Sequence, residues 1–310
     1  MTYLIRSIWF CCTLFVLLFL CSACSTATMA EGSGTDTGTD QVSYEEMAVA
    51  AVETALKDHL KNPESLQIHS NNIDDRYEDD SACFYTIVVD YSAQNGFGGY
   101  NRDTLKSYIR IDKSVGAITE LDGASYINQR AEAQFVEGLS FVGEGIPLQL
   151  IFSEDNYSRL LPNIKGSGKI SSTFTYPSGD KEVRYISNLG NLEGIATFYF
   201  YSKSEKIYQI NFYWSDGQSF YDGTNAYTLG TEYTATLEDV NALIEKIDDA
   251  LEISHRKIKE TTETYFHDYE CRWSLIEGIY IKLSWSTNDT SGNIGHIQLL
   301  LVNEVNGEAK

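Results

Sequence analysis

Proline and methionine are scarce in this chain, with four and three residues among 310. So few prolines exclude an extended Pro-rich linker or recognition tail. Positive charge is also in short supply: 23 basic side chains face 44 acidic ones, a formal net charge of −21. Such a surface repels a phosphate backbone, so nucleic acid is not a partner. It equally repels anionic lipid headgroups and keeps the folded part in solution. Of six cysteines, Cys11, Cys12, Cys21 and Cys24 crowd the N-terminus, leaving only Cys83 and Cys271 for the body. That excludes a disulfide-framework fold, and both remaining thiols fall on inferred core faces, where burial fits better than pairing. The apolar run Ile8–Leu20 falls short of the ~20 residues a bilayer-spanning helix needs.

What is present at that end is a short leader. Arg6 supplies a positive charge, the uncharged run Ile8–Leu20 follows, and it closes on Cys21-Ser22-Ala23-Cys24. A run of ~7–15 apolar residues is the length of a secretory signal core. The Cys-x-x-Cys pair can be read as a redox centre, a zinc half-site or a processing signal. A redox pair belongs at a strand-to-helix junction of a βαβ unit, and a structural zinc needs four ligands. Neither context follows here. The segment resembles the lipobox of bacterial lipoproteins, in which the cysteine thiol takes a diacylglyceryl group and a peptidase cuts just before it. Ser22 and Ala23 match that pattern; Cys21 stands where leucine is usual. The resemblance implies a signal peptide over 1–23, lipid attachment at Cys24, and a chain anchored on the extracytoplasmic face of the cell membrane. Acylation at ~0.8 kcal/mol per buried CH₂ makes two chains a firm anchor.

Residues 24–42 read as the lipidated cysteine and a flexible tether. Ser25–Gln41 is dominated by Gly, Thr, Ser and Asp and cannot bury enough surface to order itself. As a coil it reaches on the order of 20–25 Å.

The folded part reads as α+β. Ser43 and Glu46 form an S-x-x-E capping box, and Ala48, Val52, Ala55, Leu56 and Leu60 make one helical stripe that ends at Asn62-Pro63. Strands are expected at Leu66–Ser70, Ala82–Tyr91, Thr104–Ile111 and Ala117–Leu121, giving a helix on an antiparallel meander. The stretch with Asn62-Pro63 and the later loop Ser92-Ala93-Gln94-Asn95-Gly96-Phe97-Gly98 resembles small extracellular or lipoprotein domains of Gram-positive bacteria. That resemblance implies a fold and a compartment and no reaction. The expected boundaries are an N-terminal domain over 43–123, a linker over 124–135, a C-terminal domain over 136–304 and a tail over 305–310.

Two further rounds of the same order are expected in the C-terminal domain. Ser153 caps a short helix, Glu154–Leu161, stopped by Pro162. Strands follow at Lys169–Tyr176, Glu182–Ser187, Gly194–Tyr201 and Lys206–Trp214. A long helix spans Leu237–Lys259 behind a Thr236-x-x-Asp239 cap, and strands follow at Thr261–Asp268, Glu270–Leu275, Ile279–Trp285 and Ile294–Val302. The whole is three helix-plus-four-strand units in two domains. This order is similar to that of the β-lactamase-inhibitor-like proteins, which implies partner binding on a sheet surface.

Two places read as binding candidates. In the glycine-rich loop, Gln94, Asn95, Gly96, Phe97, Tyr100 and Arg102 offer backbone access and polar contacts; the other reading is a hairpin, since Asn-Gly suits a type I′ turn. Alternation puts Trp214, Trp273 and Trp285 on core faces and Tyr199, Tyr201, Tyr213 and Tyr280 opposite them, as a tyrosine surface. The acidic run Asp74–Asp80 lacks the glycine and terminal glutamate of an EF-hand and reads as a solvated loop, as the segment at Asp112 reads as a β-turn. The five histidines show no metal-ligand spacing, H-E-x-x-H and G-x-S-x-G are absent, and no cofactor or metal is expected. The expectation is therefore a surface lipoprotein that binds a protein, peptide or cell-wall component. The alternatives are a cell-envelope hydrolase using residues such as His255, His267, Asp268 and Glu270, and a structural subunit of an envelope complex.

Overall fold

The computed structural model describes residues 42–166, 171–221, 226–229, 233–262, 266–288 and 293–307. The expected signal peptide, Cys24 and the tether up to Gln41 lie outside the described residues, as do 308–310. The protein is α+β, with antiparallel sheets dominating.

Helix α1 (Tyr44–His59) starts where the sequence puts it. Ser43 Oγ accepts from the Glu46 amide at 3.2 Å, and Glu46 Oε2 accepts from the Ser43 amide at 2.9 Å. Its stripe of Ala48, Val52 and Leu56 is buried against a four-stranded meander, β1 (Gln67–Glu78), β2 (Ala82–Gln94), β3 (Tyr100–Asp112) and β4 (Ala117–Leu121). Strand β2 is buried on both faces. Cys83, Tyr85, Ile87 and Val89 meet α1, whereas Ala82 and Phe84 meet Tyr126 on the far side. The acidic run is not a loop: Asp74–Glu78 is the second half of β1, which begins at Gln67 and sits at a sheet edge.

Tyr126 belongs to α2 (Gly123–Gly143), capped by Asp122 through the Ser125 amide. The segment 124–135, expected as a linker, lies inside this helix. One side of α2 packs on the four-stranded sheet; Ala131, Phe135, Leu139 and Val142 join the larger core on the other. Tyr77 and Arg130 add polar ties: the Tyr77 hydroxyl donates to the Ala133 carbonyl at 3.3 Å, and Arg130 pairs with Asp75 at 2.5 Å. Both sheets thus belong to one compact unit that begins at Val42.

The larger core lies under an eight-stranded sheet ordered β11-β12-β13-β14-β8-β7-β6-β5. Its strands are β5 (Ser171–Thr175), β6 (Lys181–Leu189), β7 (Leu192–Phe200), β8 (Ile207–Ser215), β11 (Arg256–Thr262), β12 (Phe266–Ile276), β13 (Ile279–Asn288) and β14 (Ile294–Asn303). Two meanders meet last strand to last strand, with Trp214, Phe212 and Ile210 of β8 opposite Ile297, Leu299 and Leu301 of β14. A hairpin, β9 (Gln218–Tyr221) and β10 (Ala226–Leu229), forms its own small sheet. It reaches back so that Leu229 covers Ile186 and Ile195.

The core side is closed by α2, a 3₁₀ turn at Leu148–Phe152, α3 (Tyr157–Gly166) and α4 (Leu237–Leu251). Helix α3 starts later than expected, behind Asn156, whose Oδ1 accepts from the Arg159 amide, and it carries Pro162 within it. Helix α4 has the expected Thr236–Asp239 capping box but stops at Leu251. Arg256–Lys259, expected as its tail, pairs instead as edge strand β11. Helices α2 and α4 touch at Gly138, where a Cβ would strike the Ala250 carbonyl. Trp214, Trp273 and Trp285 are all buried in this core, each fully buried large side chain contributing about 1.5–3 kcal/mol.

A short turn of helix, α5 (Glu304–Gly307), follows β14. Residues 305–307 are therefore not a loose tail: Asn306 is buried beside Asn128 and Asn303.

Candidate functional site

Alternation along each strand gives the large sheet a second face, turned away from the helices. Its side chains are mostly polar or aromatic. Tyr199 of β7 lies 6.2 Å, ring to ring, from Tyr208 of β8, and Tyr201 packs edge-on against Tyr208 at 6.3 Å. Gln298 Nε2 donates to Asn211 Oδ1 at 2.9 Å across β14 and β8. Tyr213 stacks on His296 at 6.0 Å, and Tyr280 lies under the Arg272 guanidinium at 3.7 Å. The four tyrosines singled out by the sequence thus share this face. They are half-buried rather than fully exposed, each ring lying against a neighbouring side chain. Burial pushes the Tyr199 and Tyr208 hydroxyls up, so both stay protonated donors at neutral pH.

Toward β5 the face is fixed by Glu182, which is 3 % exposed. It accepts from the Tyr176 hydroxyl at 2.7 Å and pairs with Arg184 at 2.7 Å. The Tyr176 hydroxyl is pushed up to about 12, first by its bond to Glu182 and then by burial. Phe174 stands 52 % exposed at this edge.

The second candidate, the loop between β2 and β3, is a hairpin tip. It is not the expected type I′ turn, since neither Asn95 nor Gly96 has a positive φ. The tip is held by Asn95 instead: its carbonyl accepts from the Gly98 amide at 3.0 Å, and its Oδ1 accepts from the Phe97 and Gly99 amides. Gly98, at φ 86°, supplies the left-handed residue. Gln94 accepts from Asn62 at 2.8 Å, Arg102 pairs with Asp90, and Tyr100 is half exposed. Phe97 is 100 % exposed. The loop and the tyrosine face lie on different sheets.

The residues of the hydrolase reading do not converge. His255 is bonded to Asp248 at 3.0 Å, on the helix side, where Asp248 also accepts from Trp273 Nε1 at 2.6 Å. Asp268 is opposite Ser286 and Glu270 is opposite Ser284, both on the open face, whereas His267 alternates onto the side of Tyr269. A pair with no sequence signature sits on the open face instead. Ser286 Oγ and His296 Nδ1 are 2.8 Å apart, brought together by a bulge beside Gly295. Burial depresses the His296 imidazole below its ordinary value, with Asp268 pulling weakly the other way. Ser286 is only 4 % exposed.

The acidic side chains at 74–79 are engaged within the fold. Asp74 pairs with Lys106, Asp75 with Arg130 and Glu78 with Lys113, and Asp79 accepts from the Ser81 and Ala82 amides. Among the described residues no cluster of His, Cys, Asp and Glu is arranged to hold a metal ion. Cys83 and Cys271 are buried free thiols, on different sheets, both pushed up by burial. A groove of about 360 Å³ lies on the helical side, between Glu132 and Val136 of α2 and Gln149 and Leu150. Its other carboxylates are occupied, Glu154 by Lys206 and Asp155 by Arg159.

The fold and face together define a sheet-dominated α+β protein with one open, tyrosine-rich sheet surface. No protein family, no curated protein and no solved structure matches the chain. Among the described residues no helix is long and apolar enough to cross a membrane.

Proposed function

We propose that this chain is a lipoprotein held by Cys24 on the extracytoplasmic face of a cell membrane, and that it binds a protein, peptide or wall component through the open face of its eight-stranded sheet. The supporting observation is the grouping of Tyr199, Tyr201, Tyr208, Tyr213 and Tyr280 with the Asn211–Gln298 amide pair on the sheet face turned away from the helices, bordered at Ile195, beside Tyr213, by Leu229 of the β9–β10 hairpin. Tyrosine brings contact area at low entropic cost and a hydroxyl donor, the combination that dominates binding surfaces. The fold is read as three helix-plus-meander units, the last two fused into one sheet. A photo-crosslinking residue at Tyr199 or Tyr213 in intact cells is the test. Adducts from both positions, and none from Asp58 on α1, are expected; equal labelling from all three would count against the face.

A second reading, an envelope hydrolase, draws support from the Ser286–His296 contact alone. A neutral imidazole 2.8 Å from a hydroxyl is the arrangement a general base requires. Hydrolysis of p-nitrophenyl acetate by the purified chain, abolished in Ser286→Ala, would favour it. Activity that is absent or survives the substitution would dismiss it.

A further inference from the structure

The open face has a corner whose charge runs against the rest of the molecule. Register sets Arg256 of β11 opposite Arg272 of β12, and Arg272 opposite Lys282 of β13. Three cations therefore form one row over neighbouring strands, spanning about 10 Å. Like charges placed directly opposite each other destabilise a sheet. In a chain with 44 acidic and 23 basic side chains, carboxylates to separate them were plentiful.

Among the described residues only Lys282 of the three has an acidic partner, Glu270 at 3.3 Å. Arg272 lies flat on the Tyr280 ring, 3.7 Å from its centre, with Nε shielded from solvent and lacking an acceptor. Arg256 is exposed at the sheet edge and forms no ion pair among the described residues. Stacking on a phenol holds a guanidinium in a fixed plane, its donors presented as a fork. The group that matches such a fork is a two-oxygen anion.

We propose that this corner takes carboxylates, and that the partner is a protein segment bearing Asp or Glu side chains. The inference rests on the reading of the open face as the binding surface and names the chemistry that surface selects. Charge complementarity points to an anion. The surroundings point to a polypeptide rather than a free ion. Beside the arginines, Tyr280 and, on the next strand, Leu300 opposite Lys282 are partly exposed, giving an aromatic and aliphatic border of the kind found at the centre of protein interfaces. The distant acidic surface does not cancel the attraction, since charges beyond about 8 Å are largely screened at 0.15 M salt.

The probe is a fluorescein-labelled decapeptide of alternating Glu and Leu, titrated with the full chain at 0.15 M NaCl and read by anisotropy. Saturable binding is expected, with none for the Gln–Leu counterpart. Arg256→Gln with Arg272→Gln should weaken it at least tenfold. Lys113→Gln, in the turn between β3 and β4 and away from the large sheet, should leave it unchanged. Should the double variant fail to fold by circular dichroism, Arg256→Gln alone, at the exposed edge, takes its place with a smaller loss. Absent binding, equal binding of the Gln–Leu peptide, or indifference to the arginine variants would overturn the proposal. Displacement by an equal concentration of inorganic phosphate would overturn it too, assigning the corner to a free anion. Cross-links from Tyr199 that persist in the arginine variant would sink this corner while leaving the wider face reading intact.

Discussion

Asn303 Nδ2 donates to Asn128 Oδ1 at 2.7 Å, joining the end of β14 to the first turns of α2 across 175 positions of chain. Asn306 closes the set, accepting from Asn128 Nδ2 at 2.9 Å and donating to the carbonyls of Ile151 and Ile207. All three side chains are nearly inaccessible, and each amide is satisfied. Removing one member strands the others in a dry site. Asn303→Ala is expected to cost roughly 3 kcal/mol. With a slope of about 2–4 °C per kcal/mol for a chain of this order, Tm should fall by roughly 6–12 °C. Asn128→Ala combined with Asn303→Ala should cost less than the two singles together, read by denaturant titration as a double-mutant cycle.

Gly138 is the point where α2 and α4 press together. Gly138→Ala ought to force the helices apart, because the added methyl meets the Ala250 backbone rather than a movable side chain. A loss of about 1–3 kcal/mol is expected from such overpacking, although alanine is the better helix former. An unchanged urea midpoint would show that the helices do not close as described.

Asp248 and His296 contribute to the response to acid on either side of the carboxylate range, and Asp79, Asp122, Asp180 and Asp239, where burial is outweighed by hydrogen bonds that hold them low, add to the lower stage. Burial works against ionisation of Asp248, but the bonds from Trp273 and His255 outweigh it and hold the carboxyl below the usual carboxylate range. Its contribution is complete above the unfolded value of about 3.9 and disappears as pH falls through the lower folded value. His296 is depressed by burial against Ser286 and Tyr213. The folded state resists its proton, so stability is complete above about 6.5 and declines as pH drops through the folded value. Urea midpoints measured from pH 8 to pH 3 should therefore fall in two stages. His296→Asn should flatten the upper stage, and Trp273→Phe should shrink the lower one.

Phe97 touches nothing that its removal would leave empty. Phe97→Ser should leave stability within about 0.5 kcal/mol of the parent, as exposed substitutions do. A larger loss by thermal melting would mean that the hairpin tip is covered.

If Cys24 carries the lipid, Cys24→Ala should move the protein from the membrane fraction of cells to the medium or the soluble extracytoplasmic fraction. Mass spectrometry of the parent should find Cys24 at the start of the chain with added acyl mass. An unacylated chain beginning elsewhere would remove the anchor from the proposal.

Much of the fold was legible because local rules and tertiary packing agree. Ser43-x-x-Glu46 and Thr236-x-x-Asp239 both cap helices, and the period-two runs around Ile87, Phe212 and Ile281 are all strands. Helix α2 is not legible in the sequence although Ala131, Phe135, Leu139 and Val142 carry a helical period. Gly138 and Asn128 interrupt its apolar faces, and only the contacts with Ala250 and Asn303 explain them. The Asp74–Glu78 half of β1 was hidden for another reason: an edge strand facing solvent needs no apolar alternation.

The candidate face was legible only in part. Strand alternation assigns Tyr199, Tyr213 and Tyr280 to one side. It cannot say that two meanders share a sheet, so the meeting of Asn211 with Gln298 is invisible in the sequence. The same holds for Ser286 with His296 and for Arg256 with Arg272. Arg256 also falls inside the expected helix Leu237–Lys259, because its charged neighbours extend a helical pattern past Leu251.

The joint between β8 and β14 has a consequence for how the chain is made. β14 is the last of the described strands to be synthesised, yet it occupies the middle of the sheet. Until it emerges, β8 waits with a bare hydrogen-bonding edge beside Trp214 and Phe212. Completion of the sheet therefore waits on β14, through a pairing distant along the chain, a slow and aggregation-exposed step. A cell producing this protein has to shield that edge for the interval.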